Sequence, residues 1–412
     1  MKLLNFITHN AYKLAAISFF VPLRLQVLLL FIGTAVPLAS IIINKQRISK
    51  NEYLTAVLLG SFYFLYLIYI PFAGVNLHPL LFLCEKKLSL IILPFTVLFI
   101  NKANENKPFN WMFFVYACAA VCLTANLYIL IDYIIHQPSL LFQVYYRQTF
   151  ERITDTHPTY IGIYIAFSIL VLIYRFQNKL ISQKNIPFHI ILFFFLLVFL
   201  LLLSPKMPLI ASLLIGLYVF LNLKSGFKKY FILSSLIALT VSGYFLMPSF
   251  QQRWQETGCF ISKTENSISS FENSLAVRKI ILEIDLSMLE AFWIKGTGPG
   301  NLQAYLDNYY YYISVNTKTS FGSYNTHNEY LNVWLSFGII GILLFALLLF
   351  FHFWKAYVSG NLLYTYFLVL ICFCFLTENL LDRQRGVIFF ALLGAYFWSE
   401  REAIKKNEID IS

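Results

Sequence analysis

The chain has 412 residues, 59% of them hydrophobic and only 12% charged. A soluble domain is nearer half apolar and a quarter charged, so the composition excludes an ordinary soluble protein and points to a polytopic membrane protein. The net charge of +11 does not indicate nucleic acid: no soluble basic domain exists to carry it, and cytoplasmic loop charge that fixes orientation accounts for it.

Taken in chain order, apolar runs near the ~20-residue length that crosses a bilayer predict an all-α fold of about twelve transmembrane helices. Their cores lie at 4–21, 25–43, 53–71, 88–100, 111–135, 158–174, 188–204, 207–223, 231–247, 330–351, 362–379 and 387–398. The first run is read as a retained helix, because no small-residue cleavage site follows it. Basic groups at Lys45–Lys50, Lys102 and Lys107, Arg175–Lys184, Lys224–Lys229, Lys355 and Arg401–Lys406 all fall on one side of this arrangement. The positive-inside rule makes that side cytoplasmic, with both termini inside. The expected organisation is 1–247 with helices one to nine, 248–328 as a large periplasmic loop, and 329–412 with helices ten to twelve and a cytoplasmic tail. The loop is too long for a plain turn, and loops of that length tend to carry function. Within it, Leu275, Ile281, Leu282, Leu286 and Leu289 recur at helical spacing and predict an amphipathic helix near 275–293. The six Cys give neither a disulfide framework nor metal-ligand spacing, and no metal or cofactor is expected.

A second set of cations sits where orientation has no use for them. Arg24, Lys86, Lys87, Arg147, Arg152, Lys206, Arg278, Arg383 and Arg385 lie at or near the external span ends. Singly, each is explained by snorkelling, or by pairing with Glu85, Glu151, Glu378 or Asp382. As a set they suit one shared anion, and Arg is built for bidentate phosphate capture. A membrane-embedded diphosphate is the natural ligand. Arg278, Lys206 and Arg147 are expected to share one external cavity with Arg24 and Lys86. Lys206 stands in a tight turn, Leu-Leu-Leu-Ser-Pro-Lys-Met-Pro, between two strongly apolar runs.

Three further features are candidate site elements. His327 and Asn328 end the long loop just before a span in which Gly338 and Gly341 permit close contact; a neutral imidazole there can accept a proton. Gly296, Gly298 and Gly300, in Gly-Thr-Gly-Pro-Gly, permit close approach to a ligand. They lack the following Lys-Ser/Thr of a phosphate-binding P-loop. His157, just before Pro158, opens the sixth span and is placed to line the same cavity.

In these motifs the chain resembles the O-antigen ligase and polymerase superfamily of bacterial envelope glycosyltransferases. The ligase pattern is His, then Asn, Ser or Gln, nine residues, then Gly-x-x-Gly. His327, Asn328, Gly338 and Gly341 match it without a gap. Arg278 and the stretch from Gly296 to Gly300 resemble the family's Arg followed some twenty residues on by Gly-x-Gly-Pro-Gly. Ser204-Pro205-Lys206 stands where the family commonly has Ser and Arg, keeping the charge but losing the guanidinium fork. The resemblance implies metal-independent glycosyl transfer at the periplasmic face of the bacterial inner membrane. The implied donor is a glycan on undecaprenyl diphosphate, and the implied acceptor a sugar hydroxyl of lipid A core or another glycan. His327 is then the general base and Arg278 the principal catalytic cation. Lys206, Arg147, Arg24, Lys86, Asn328, Gly298, Gly300 and His157 are the substrate-binding candidates. A polymerase of the same superfamily is the alternative, and a polysaccharide or lipid transporter a more distant one.

Overall fold

Residues 2–72, 77–104, 109–136, 142–223, 274–317 and 322–400 are described by a computed structural model, and no strand occurs among them. The ninth expected span, the first part of the long loop, Cys259 and the basic groups at Lys107, Lys224–Lys229 and Arg401–Lys406 lie outside these residues.

The other eleven apolar segments are helical. They are α1 (Lys2–Ser18), α2 (Leu23–Ile43), α3 and α4 (Lys50–Leu59, Phe62–Ile68), α6 (Ser89–Ala103), α7 (Trp111–His136), α9 (Pro158–Gln177), α10 (Ile186–Leu203), α11 (Lys206–Asn222), α14 (Glu329–Ser359), α15 (Leu362–Phe375) and α16 (Gln384–Ser399). Four more helices stand between them: α5 (Leu77–Lys87), α8 (Phe142–Thr154), α12 (Ser274–Phe292) and α13 (Leu302–Thr317). Among the described residues, five helices are long and apolar enough to cross a membrane, or six if the bent pair α3 and α4 counts as one span, where eleven of the twelve expected spans fall. Several apolar runs yield helices of only 14 to 17 residues, and the third run breaks at Gly60–Ser61 with a 66° bend. The chain is a membrane protein.

Helix α9 forms the centre of the bundle, packed by α7, α10, α11 and α15. Its side chains from Tyr160 to Ile173 are buried almost without interruption. Phe167 alone meets the rings of Trp111, Phe114, Phe367, Phe389 and Phe397. In lipid such contacts act through close packing rather than expulsion of water, so fit decides their value. Pro158 starts α9, where its missing N–H is no loss, and the His157 ring accepts from Thr159 N. Helix α10 ends where Ser204 takes a left-handed conformation (φ 47°), and Pro205 then starts α11.

The helix expected near 275–293 is α12, but its buried face is Val277, Ile281, Ile284 and Met288, packed on Leu302, Leu306 and Tyr310 of α13 and on Leu335. Leu282 and Leu286, expected on that face, are exposed. Both sets fit a 3.6-residue period, and apolarity alone does not choose between them.

The Gly stretch joins this subdomain to α14. Thr297 N donates to Leu335 O at 2.7 Å, Gly298 N to Ser336 O at 3.0 Å, and Ile339 N to Ile294 O at 3.2 Å. These bonds occupy the break in α14 at Gly338 (φ 67°, ψ −160°). The break frees the carbonyls of Leu335 and Ser336, and the loop backbone satisfies them, which a membrane helix requires. The close approach expected at Gly338 is therefore made by loop backbone, not by a neighbouring helix. A Cβ on Gly338 would run into the backbone of Ile294 and Lys295, and its dihedrals belong to a region essentially reserved for Gly. Gly338→Ala is expected to cost at least ~1–3 kcal/mol from backbone strain alone, read as a lowered Tm in detergent.

Candidate active site

Between the helix ends opens a cavity of about 600 Å³. Helix α8 supplies Arg147 and Glu151, and the α8–α9 turn supplies Asp155, Thr156 and His157. The turn into α11 supplies Ser204 to Pro208. Helix α12 gives Arg278, the segment before α14 gives Asn325 and His327, and the α15–α16 turn gives Glu378, Asn379, Arg383 and Arg385. Five permanent cations thus face three carboxyl groups and two histidines. Helices α9, α11 and α16 also begin at this wall, and helix N-termini carry partial positive charge that favours anions.

Glu378 stands at the centre of the polar contacts. Arg278 Nη2 lies 3.1 Å from its Oε1 and His327 Nδ1 lies 3.9 Å from its Oε2. Burial pushes the Glu378 carboxyl above its usual range, while Arg278 and Arg383 pull the other way. Burial drives His327 down to about 4, helped by Arg278, His157 and Arg383. Its ring is therefore neutral at pH 7 and free to take a proton. His327 also has a left-handed backbone (φ 45°), uncommon for a residue with a side chain. Its N–H donates to Asn325 Oδ1 at 3.2 Å. Such outliers cluster at functional sites.

Two other groups are shaped by the same surroundings. Burial lowers the Arg147 guanidinium from its usual value, against the pull of Glu151. Burial likewise lowers His157, whose Nδ1 is already used as the cap of α9. Arg385 Nη2 donates to Asp155 O at 3.0 Å, tying the α8–α9 turn to the first turn of α16.

The structure thus brings together His327, Arg278, Lys206, Arg147 and His157. It does not bring in the other five candidates. Arg24 is exposed, one residue beyond Leu23, which does line the cavity. Lys86 lies over the Phe82 ring, 4.1 Å from its centroid. Asn328 caps α14, its Oδ1 accepting from Leu331 N and its Nδ2 donating to Leu376 O. Gly298 spends its N–H on Ser336, and Gly300 lies beside it, also outside the cavity wall. Arg383 and Arg385, which belong to the cation set expected to share an anion, also line the cavity, as does Glu378, expected only as an ion-pair partner. Their signal was a charged run, Glu-Asn-Leu-Leu-Asp-Arg-Gln-Arg, between two apolar stretches. Among the described residues, no group of His, Cys, Asp and Glu is arranged to hold a metal ion.

Residues 153–346 match the family model described as O-Antigen ligase. That stretch, a little under half of the chain, is similar to the O-antigen ligase family. No curated protein matches the chain. Members of the O-antigen ligase family are glycosyltransferase-like enzymes of O-antigen and polysaccharide synthesis, with a lipid-linked glycan donor and a polysaccharide acceptor. The matched segment contains His157, Lys206, Arg278 and His327. Arg147 and Glu151 precede it, and Glu378, Arg383 and Arg385 follow it. The cavity is complete only with residues from outside the matched segment.

Proposed function

We propose that the protein transfers a glycan from undecaprenyl diphosphate to a sugar hydroxyl, of lipid A core or a similar acceptor, at the periplasmic face of the bacterial inner membrane. The observation that carries this reading is the cavity in which five cations surround a neutral histidine and a carboxylate. In the proposed step the acceptor oxygen attacks the anomeric carbon. The bond from that carbon to the diphosphate oxygen breaks, and the lipid diphosphate leaves with the electron pair. The acceptor proton passes to His327, whose Nδ1 side faces Glu378 and leaves Nε2 for the acceptor. Arg278, Arg147, Lys206, Arg383 and Arg385 offset the charge that grows on the leaving group. Fixed cations aimed at developing charge are the largest catalytic contribution in many enzymes. Asn328, Gly298 and Gly300 are assigned indirect roles, in holding the site's frame.

The test is transfer by the purified protein in liposomes, supplied with undecaprenyl-diphosphate glycan and, separately, lipid A core or a second lipid-linked glycan. Product on lipid A core with EDTA present is the expected result. Product only on the second lipid-linked glycan would make the protein a polymerase of the same superfamily. Movement of the intact donor across the bilayer without transfer would overturn the enzymatic reading.

A further inference from the structure

Behind the α15–α16 turn lies a second polar cluster that the proposed reaction does not use. Lys87, the last residue of α5, is 1% exposed, and its Nζ lies 2.9 Å from Asp382 Oδ1. The same oxygen accepts from Asn332 Nδ2 at 3.3 Å, and Oδ2 accepts from Asn379 Nδ2 at 3.1 Å. Fully buried Glu329 accepts from Leu381 N at 2.8 Å. Each of these contacts bears on residues 379–382. The residues that flank them, Glu378 and Arg383, both line the cavity. Asn379 also accepts from Thr326 Oγ1 at 3.0 Å, immediately before His327.

A buried ion pair is a poor device for stability alone, since apolar side chains of similar volume serve as well or better. What it provides is a single geometry: the Lys87 ammonium is fully buried and its carboxylate partner is Asp382, whose side chain is only 22% exposed. Here the carboxylate belongs to the turn that carries two groups of the site. We propose that Lys87 is a positioning residue: its buried ammonium holds Asp382 and so fixes the turn that presents Arg383 and Glu378 to His327. The proposal rests on the transfer reaction only for its kinetic consequences; its geometric content stands separately.

The groups facing His327 are Arg278, His157, Arg383 and Glu378. Glu378 is also gripped by Arg278, so release of the turn moves chiefly Arg383 away from the ring. One of the cations that keep His327 from protonating is then lost. The experiment uses Lys87→Met, Asp382→Asn and the double variant in the full-length protein. The first measurement is the pH midpoint at which diethylpyrocarbonate labels His327, read by mass spectrometry. The second is transfer per folded molecule at saturating donor.

The expected result is an upward shift of the labelling midpoint in all three variants. It is accompanied by a loss of kcat of about 10²-fold, the scale of a misplacement near 1 Å, with donor KM little changed. The double variant should match the single ones rather than multiply them, as residues acting as one unit do. If Lys87→Met fails to fold, the double variant decides, because it leaves no lone buried charge at that pair. A folded variant with a wild-type midpoint overturns the proposal. A shifted midpoint in a protein whose wild type transfers nothing would support the positioning role and overturn the transfer reaction instead.

Discussion

His327→Ala is expected to lower glycan transfer by about 10²–10⁴-fold, the usual contribution of a general base, with no loss of folded protein. The side chain is about a third exposed and contributes little packing. His327→Gln keeps hydrogen bonding but has no basic nitrogen near neutral pH. It should therefore fall with the Ala variant rather than with wild type. The pH profile supplies a second check. A base must be unprotonated to act, and burial with neighbouring cations holds His327 down to about 4. Transfer should therefore persist as pH drops from neutrality toward 5 and be lost as it passes through about 4. A bound diphosphate offsets Arg278 and Arg383 and makes protonation of the ring easier. The acid limb of kcat should accordingly lie at higher pH than that of kcat/KM. Coincident limbs would remove the diphosphate from the neighbourhood of His327, and near-normal transfer by the Ala variant would remove His327 from the reaction.

Arg278→Ala is expected to reduce kcat/KM by about 10²–10³-fold, the scale of losing one fixed donor to developing charge. It has a second consequence, because Arg278 is the ion-pair partner of Glu378 at 3.1 Å. Without it, burial raises the Glu378 carboxyl further and favours the neutral acid. Arg278→Lys keeps the charge but not the planar fork, and should recover only part of the rate. Combining Arg278→Ala with Glu378→Gln removes the stranded acid. Folded yield should recover in that variant while transfer stays low. Recovery of transfer as well would make Arg278 a partner of Glu378 alone, not a contact of the diphosphate.

Much of the site was legible because charge at a span end reports depth in the membrane. Arg147 and Lys206 were found that way, with Arg278 as a further external cation inside the long loop, and His327 was found from its motif at the end of that loop. Depth is not direction around the bundle, and Arg24 and Lys86 show the difference. Neither lines the cavity: Arg24 is exposed and Lys86 is half-buried over the Phe82 ring. One step along a helix rotates a side chain by about 100°, enough to exchange half-buried Lys86 for fully buried Lys87. The Gly stretch misled for another reason. Gly296 and Gly298 do mark a close approach, but the sequence does not say whether ligand or backbone approaches. The acidic and basic run after α15 reads as cations for a shared anion, with Glu378 and Asp382 as alternative partners, and only the packing of α5 and α14 against it sorts Asp382 toward Lys87 and leaves Glu378 and Arg383 on the cavity. The span count turns on length. Apolarity locates α6, α11, α15 and α16, but it does not show that they stop at 15 to 17, or in one case 14, residues.

The backbone junction at Gly338 also constrains how the cavity can open. Three main-chain bonds weld the segment after α12 to the broken turn of α14. The α12 helix carries Arg278, and the residues just before α14 carry His327. A rigid-body tilt of either element must drag the other with it, so the imidazole and the guanidinium travel as one jaw. Room for a bulky lipid-linked sugar then has to come from the opposing jaw, where Arg147 rides on α8. That helix is held to the facing turn through Arg385 and the carbonyls at its C-terminal end. Such a junction would keep the spacing of His327 and Arg278 constant through the proposed reaction.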